Sequence, residues 1–125
     1  MSRIHREIGQ CMSGLETENG QMTAKFLFPS EFVGFQGHFE KNPVLPGVCK
    51  IQAVLVMHEK MHGGNFRLKE VNQAKYFMPV SAGQEITVRC ESKPVESGLF
   101  RVKAIVEKDS AKVAMLQVVI ENAKL

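Results

Sequence analysis

The sequence predicts an α+β fold in which an antiparallel sheet wraps around one long central helix. Two observations predict it. Apolar and polar residues alternate with a period of two over residues 21–28 and over much of residues 66–120, which is typical of half-buried strands. Between these regions, residues 48–62 contain no glycine or proline, which predicts a helix of about four turns.

Length and composition limit the classes of protein that the sequence allows. The chain has 125 residues, of which 44% are hydrophobic and 23% are charged, which predicts one globular domain over residues 1–125 and excludes wholesale disorder. No apolar run reaches the roughly 20 residues of a membrane-spanning helix. The first residues lack the apolar stretch of a secretory signal, and three cysteines without a CxxC motif suit a reducing compartment. We therefore expect a cytoplasmic protein.

The charge of the chain argues against a nucleic-acid-binding surface. The net charge of +3 is spread along the sequence without a run of four like charges. Tryptophan is absent and Tyr76 is the only tyrosine, so the clustered basic and aromatic residues of such a surface are missing. A shallow basic patch for an acidic protein partner is compatible with this charge.

The first part of the chain is predicted to form two strands followed by a structured loop. Residues 4–13 are a weak strand candidate and residues 14–20 a turn, whereas residues 21–28 alternate well, with the even-numbered residues on one face. Residues 32–47 contain three glycines and two prolines, which predicts a loop of defined geometry. Phenylalanines in and beside this loop indicate that it is packed, and such loops often carry function.

The central helix should be largely buried. Its apolar positions cover more than the narrow stripe of a surface helix, and the Gly63-Gly64 pair marks its end. Residues 66–78 predict a strand with a bulge near Glu70, where the alternation slips.

Three more strands complete the predicted sheet. The last of them should be covered on both faces, because only one of its residues is polar. These strands lie around residues 86–91, 100–106 and 113–120. Turns at residues 81–83, 96–98 and 108–110 predict that the four strands after the helix form a meander.

The segment with the strongest functional signal leads directly into the helix. Residues 37–48 read GHFEKNPVLPGV, and residues 77–83 read FMPVSAG. The first segment resembles the signature of the 3-hydroxyacyl-acyl-carrier-protein dehydratases of fatty-acid synthesis (the FabZ/FabA type), in which GHF is followed by P-x-x-P-G-V and the central helix of a hot-dog fold. The second resembles that family's F-x-x-P-V-x-x-G turn. The resemblance covers most of the chain and is weakest before Gln21.

The resemblance implies a lyase that removes water from a 3-hydroxyacyl thioester. It assigns His38 as the base, a role that suits histidine near neutral pH. The backbone N–H groups of Gly47 and Val48, at the helix N-terminus, would polarise the thioester carbonyl. The same resemblance places three residues along the substrate tunnel: Phe39, Pro46 and Val56.

One position departs from the family pattern. Members carry Glu or Asp on the central helix fourteen residues after the histidine, and here that position is Gln52. An amide can bind and orient a hydroxyl group but has no titratable proton. Three interpretations stay open: His38 returns its own proton to the leaving hydroxyl, another acid (Glu59, Glu40 or Glu70) replaces the carboxylate, or the protein binds acyl chains without dehydrating them.

The resemblance also implies partners. The substrate would arrive on the phosphopantetheine arm of an acyl carrier protein, with no other cofactor and no metal. Carrier proteins are acidic, so four basic residues are docking candidates: Lys50, Arg67, Lys69 and Lys75. Hot-dog proteins of this type imply a homodimer with shared active sites, in which His38 faces Gln52 of the neighbouring chain, and they allow a trimer of dimers.

Two other functions compete with the dehydratase. A hot-dog acyl thioesterase would hydrolyse the same kind of thioester, and a non-catalytic acyl-binding or pairing subunit would leave the chemistry to its partner. His58 and His62 have the spacing of metal ligands on a helix, but the sequence offers no third ligand, which favours a helix-end pair. Cys49 is expected to fill a small space in the core rather than to act as a thiolate.

Overall fold

The computed structural model describes residues 3–36 and 44–123. Its elements in chain order are α1 (Arg3–Gln10), β1 (Met12–Glu18), β2 (Gln21–Leu27), a 3-10 turn (Val33–Phe35), α2 (Gly47–His62), β3 (Phe66–Tyr76), β4 (Glu85–Glu96), β5 (Leu99–Lys108) and β6 (Ala111–Asn122). The strands form one six-stranded antiparallel sheet in the order β1-β2-β4-β5-β6-β3. The predicted α+β class, with one sheet around a long helix, is confirmed.

The N-terminal prediction is wrong in two respects. Residues 4–10 are not part of a strand, because Arg3–Gln10 forms α1, in which Ile4 and Ile8 are four residues apart and Ile8 is fully buried; only residues 12–13 of the predicted range are in a strand, β1. Residues 14–20 are not a turn throughout, because β1 extends to Glu18. Gly14 has a φ of 62° at a register shift in β1, so it marks a bulge rather than the turn.

The central helix is confirmed with the predicted limits to within one residue. It begins at Gly47 after Pro46, which has a φ of −61°, and ends at Gly63, where a φ of 80° turns the chain away and the Gly63 N–H donates to the Glu59 carbonyl at 2.8 Å. Residues 53–58 are all buried, and their apolar members join the inward side chains of the sheet in one core. The alternation predicted for residues 21–28 is also confirmed, since its even-numbered residues are buried.

The predicted four-strand meander is wrong for β3. Of the four strands after the helix, only β4, β5 and β6 follow one another by tight turns, whereas β3 pairs with β6 at the far edge of the sheet. The physical reason is the connection after β3: residues 77–84 are long enough to cross the molecule and return the chain beside β2. The predicted bulge is confirmed by a register shift between Leu68 and Glu70.

The outer faces of the sheet are less covered than the sequence predicts. In β6, Val118 and Ile120 are fully buried, but the alternate residues Met115, Gln117 and Val119 are only partly buried, so this strand is closed on one face. No helix in the described ranges is long and apolar enough to cross a membrane.

Candidate functional site

Part of the predicted site lies outside the residues that the structure describes. This applies to His38 and Phe39, and to Glu40 among the candidate acids. The described end of the loop is fixed to the β3–β4 connection, since the Leu45 N–H donates to the Val80 carbonyl at 2.7 Å and Val44 bridges to Ser81. This end of the loop therefore enters α2 from a fixed position.

The N-terminus of α2 lies against the ring of Tyr76. A Cβ atom built on Gly47 would come within 2.8 Å of the Tyr76 Cζ atom, so only glycine allows this approach without a shift of the ring. A cleft of about 370 Å³ opens here, lined by Gly47, Tyr76 and residues 77–79. Backbone N–H groups in the first turn of a helix have no acceptor within the helix and favour partial negative charge. This end of α2 can therefore bind a carbonyl oxygen.

The residues next to Gly47 differ in exposure. The Val48 side chain is 56% exposed and Pro46 is half-buried. Val56, two turns further along α2, is buried and contributes to the wall of a different cleft. The structure thus places Pro46 at the N-cap of α2 and Val56 between α2 and α1.

Lys50 is not an exposed docking charge, which corrects the expectation for this residue. Its side chain is 3% exposed, and its Nζ atom donates to the Leu45 carbonyl at 3.2 Å and lies 5.3 Å from the centre of the Tyr76 ring. Burial lowers the pKa of Lys50. Lys50 therefore holds the loop against α2 and β3.

The remaining docking candidates are on the exposed edge strand. Arg67, Lys69 and Lys75 all lie in β3 with exposed side chains, and the Arg67 Nε donates to Glu121 Oε1 at 2.6 Å. Two of the three are thus surface cations on one strand, and Arg67 shares its charge with a carboxylate. Their role in docking stays a prediction.

Gln52 is held by a histidine that the sequence analysis did not single out. The Gln52 Oε1 atom is 2.6 Å from Nδ1 of His5, and Nε2 of the same ring is 2.6 Å from Glu59 Oε1. The second oxygen of Glu59 accepts the Phe66 N–H at 2.7 Å. The His5 and Glu59 side chains are only 11% and 12% exposed. The structure therefore joins α1, α2 and the start of β3 in one polar cluster.

The cluster of His5, Gln52 and Glu59 separates two clefts. One, of about 520 Å³, lies between α1 and α2 and includes Val56 in its lining. The other, of about 300 Å³, is bordered by Gln52 and by the first residues of β3. His5 and Glu59 line both clefts, so either cleft gives a ligand access to the imidazole–carboxylate pair.

The structure distinguishes between the candidate acids on the described segments. Glu59 belongs to the cluster with Gln52, whereas Glu70 is exposed on β3 and accepts a hydrogen bond from Asn72 Nδ2 at 3.1 Å. Of the described candidates, Glu59 is the one linked to the Gln52 side chain, through the His5 ring. His5 was missed because residues 4–13 read as a strand; the helical spacing of Ile4 and Ile8 was the one local signal for α1.

The surroundings of His58 indicate a role in stabilising the fold. Its Nδ1–H donates to the Val54 carbonyl at 2.7 Å, which leaves Nε2 to accept from Ser92 Oγ at 2.6 Å. Burial lowers the pKa of this imidazole, so the neutral form is favoured. The His62 ring stacks on Phe100, and residues 3–36 and 44–123 contain no cluster of three or more metal-type ligands.

Cys49 occupies the core, as expected. Its side chain is fully buried, and burial raises the pKa of its thiol to about 11. A Cβ atom on Gly34 would lie 3.1 Å from the Cys49 Sγ atom, so the sulfur fills the space beside the 3-10 turn. A thiolate at this helix start is therefore disfavoured.

Comparisons with known proteins agree with the motif. The family model described as ApeI-like, ApeI dehydratase, matches residues 14–116. The 3-hydroxyacyl-acyl-carrier-protein dehydratase FabZ of Caulobacter sp. (strain K31) is 30% identical over 103 residues, which cover 73% of this chain and 63% of that protein. The enzyme of the same name from Gluconacetobacter diazotrophicus is 29% identical over 89 residues, covering 64% and 55%. The chain thus spans about half to two thirds of the length of these relatives.

Solved structures with little sequence identity share the fold. The dehydratase heterocomplex ApeI:P from Xenorhabdus doucetiae superposes with a TM-score of 0.69 at 14% identity, covering 88% of this chain and 96% of that one. The PaaI protein of E. coli, from the phenylacetic acid degradation operon, gives 0.67 at 10% identity, covering 94% and 86%. Together with the sheet around α2, these matches establish the hot-dog fold. The chain belongs to the ApeI-like dehydratase family.

Proposed function

We propose that this protein is a dehydratase that removes water from a 3-hydroxyacyl thioester carried by an acyl carrier protein. The observation that carries the proposal is the N-terminus of α2, which follows the GHF…PxxPG loop directly and opens onto a cleft beside Tyr76. Relatives at 30% and 29% identity are named for this reaction.

The reaction divides among the residues as follows. His38 takes the proton from the carbon next to the thioester carbonyl, and the electron pair forms the new carbon–carbon double bond as the 3-hydroxyl leaves with a proton as water. The N–H groups of Gly47 and Val48 stabilise the negative charge that develops on the carbonyl oxygen. Gln52 binds the 3-hydroxyl. An amide does not supply the proton for the leaving group, so that proton comes from His38 or from an acid close to Gln52.

The functional unit in this proposal is a dimer. Strand β3 is an edge of the sheet, and its apolar residues Leu68 and Val71 are 37% and 45% exposed. Val48, in the first turn of α2, and Phe77, in the lining of the cleft beside Gly47, are 56% and 54% exposed. An edge strand with exposed apolar residues is suited to pairing with a second copy, which would bring His38 of one chain to Gln52 of the other. Light scattering that finds a stable monomer at micromolar concentration would contradict this.

The experiment is a substrate assay with two products read in parallel. Purified protein is incubated with 3-hydroxyacyl and enoyl thioesters, on a carrier protein and on a small thiol, at increasing salt. We expect interconversion of hydroxyacyl and enoyl forms, loss of that activity in His38→Ala, and a preference for the carrier that falls as salt screens β3 charges such as Lys69 and Lys75. Release of free thiol would instead identify a thioesterase.

The variant Gln52→Glu tests what the amide does to the reaction. A carboxyl group at this position can be protonated and can deliver the missing proton, so turnover should rise if Gln52 limits the site.

A second candidate function rests on the same residue. Because Gln52 has no titratable proton, the chain could serve as an acyl-binding subunit whose partner supplies the acid. The structurally similar ApeI:P dehydratase of Xenorhabdus doucetiae is a heterocomplex. Acyl binding without turnover, in both wild type and a folded Gln52→Glu variant, would favour this function.

A further inference from the structure

We propose that His5 is a positioning residue that fixes the orientation of the Gln52 amide, so that its NH₂ group rather than its oxygen faces the substrate. This inference rests on the proposed function and extends the site to α1, a helix outside the loop-and-helix motif. In the structure, the atom of Gln52 that faces the imidazole is Oε1, 2.6 Å from Nδ1.

The position of His5 is itself fixed by packing. Helix α1 inserts the fully buried Ile8 into the core, and Glu7 Oε1 accepts the Val33 N–H at 2.9 Å. Gly9 lies close to α2, since a Cβ atom there would be 3.7 Å from Val56 Cγ1. These contacts hold α1 against α2, and they leave the His5 ring, which is 11% exposed, little freedom to move.

The carboxylate of Glu59 fixes the far side of the ring. Its Oε2 atom is already occupied by the Phe66 N–H at 2.7 Å, and its Oε1 atom lies 2.6 Å from His5 Nε2. The imidazole is therefore held between two oxygen atoms, Glu59 Oε1 and Gln52 Oε1. An amide oxygen only accepts hydrogen bonds, so Nδ1 is the donor to Gln52 Oε1.

The consequence for the substrate follows from the chemistry of the amide. An amide group has an acceptor end and a donor end, and when the oxygen is occupied the NH₂ group is the end presented to a ligand. A donor binds the oxygen of a 3-hydroxyl group and stabilises negative charge that develops as the C–O bond breaks. A carboxylate, by contrast, has two equivalent oxygens and needs no such orientation. With Gln rather than Glu or Asp at position 52, the side chain must be held in one of two orientations, and the contact with His5 does this.

The test combines kinetics with a spectroscopic signal of Gln52. In His5→Ala, the side-chain NH₂ resonances of Gln52 in ¹⁵N-edited NMR should shift or broaden, and kcat for dehydration should fall about tenfold with KM changed less, because one orienting contact to the reacting group is lost. His62→Ala is the matched control: it removes an exposed histidine from the end of α2 and should leave both readouts unchanged.

A double-mutant cycle separates positioning from a structural effect. If His5 acts through Gln52, His5→Ala should have little further effect on kcat in a Gln52→Ala background. An equal loss in both backgrounds, or Gln52 resonances that do not move in folded His5→Ala, would overturn the inference. If His5→Ala does not fold, His5→Phe is used, since it keeps a ring of similar size but has no donor for Gln52 Oε1, so the Gln52 resonances should likewise shift or broaden.

The NMR result does not depend on activity. A wild-type protein without dehydratase activity would refute the proposed function while the Gln52 resonances still report whether His5 orients the amide. Conversely, an active wild type with unchanged kcat and unchanged resonances in His5→Ala would refute the inference alone.

Discussion

His58, which lies on α2, and His5, which contacts α2 from α1, have different surroundings, and the difference separates a stabilising role from a ligand-orienting one. His58 is fully buried, and its hydrogen-bond partners, the Val54 carbonyl and the Ser92 hydroxyl, are neutral. His5 stands between two clefts, and its partners are a carboxylate and an amide. A buried ring with neutral partners stabilises one conformation, whereas a ring paired with a carboxylate beside a cleft can orient a ligand-binding group.

The largest expected effect on stability is that of His58→Ala. The change empties a fully buried site and leaves the Val54 carbonyl and the Ser92 hydroxyl without their partner, so the free energy of unfolding should fall by about 3 kcal/mol. His5→Ala should cost about 1 kcal/mol, because that side chain borders two clefts that water can enter. Urea unfolding of both variants measures the difference. A larger loss of unfolding free energy in His5→Ala than in His58→Ala would contradict the view that His58, rather than His5, stabilises the fold.

The acid stability of the protein gives the second, smaller test. Burial lowers the folded-state pKa of His58 below its ordinary 6.5, so the unfolded chain binds a proton there that the folded chain does not. The contribution of His58 to stability is therefore complete above about pH 6.5 and declines as the pH falls below it. For this one proton, the free energy of unfolding falls by at most about 1.4 kcal/mol for each pH unit below this value.

The measurement is the urea midpoint at pH values from 5 to 8 for the wild type, His58→Gln and the control His62→Ala. The part of the decline that belongs to His58 should disappear in His58→Gln. It should persist, slightly reduced, in His62→Ala, because burial is the largest cause of the lowered His58 pKa and repulsion from His62 is a smaller one. Equal pH dependence in all three proteins would show that His58 does not titrate differently in the folded state.

The contrast between the two histidines also explains what the sequence could predict. Helix α2 was predictable because Pro46 and Gly63 mark its ends and its apolar residues are dense. His58 lies on that helix, but the sequence predicts it only as one of a helix-end pair with His62, so its complete burial was not predicted. Helix α1 has eight residues and one buried side chain, Ile8, and its place is set by packing against α2 rather than by local pattern.

Contacts between residues far apart in the sequence were likewise not predictable from local patterns. The two residues of the His5–Gln52 contact are 47 positions apart, and no local signal connects them. Likewise, the alternation in β3 predicts a strand but not that its neighbour is β6 rather than β4. Gly47 and Gln52 were found because the motif leads straight into α2, while the side chain that binds Gln52 comes from an element outside the motif.

The smallest expected effect comes from Ser92→Ala, and it tests whether the His58 site is closed. Ser92 is only partly buried, so when its hydroxyl is removed a water molecule can reach His58 Nε2 and replace the lost donor. The Val54 carbonyl still accepts from Nδ1, so the tautomer is retained. We expect the free energy of unfolding to fall by about 1 kcal/mol or less in urea titrations at pH 7.5. Ser92→Ala should also leave dehydration kinetics unchanged, because the Ser92 hydroxyl bonds to His58, whereas Gln52 bonds to His5. A loss as large as that of His58→Ala would mean that water does not enter, and a change in kcat would mean that the two regions are coupled.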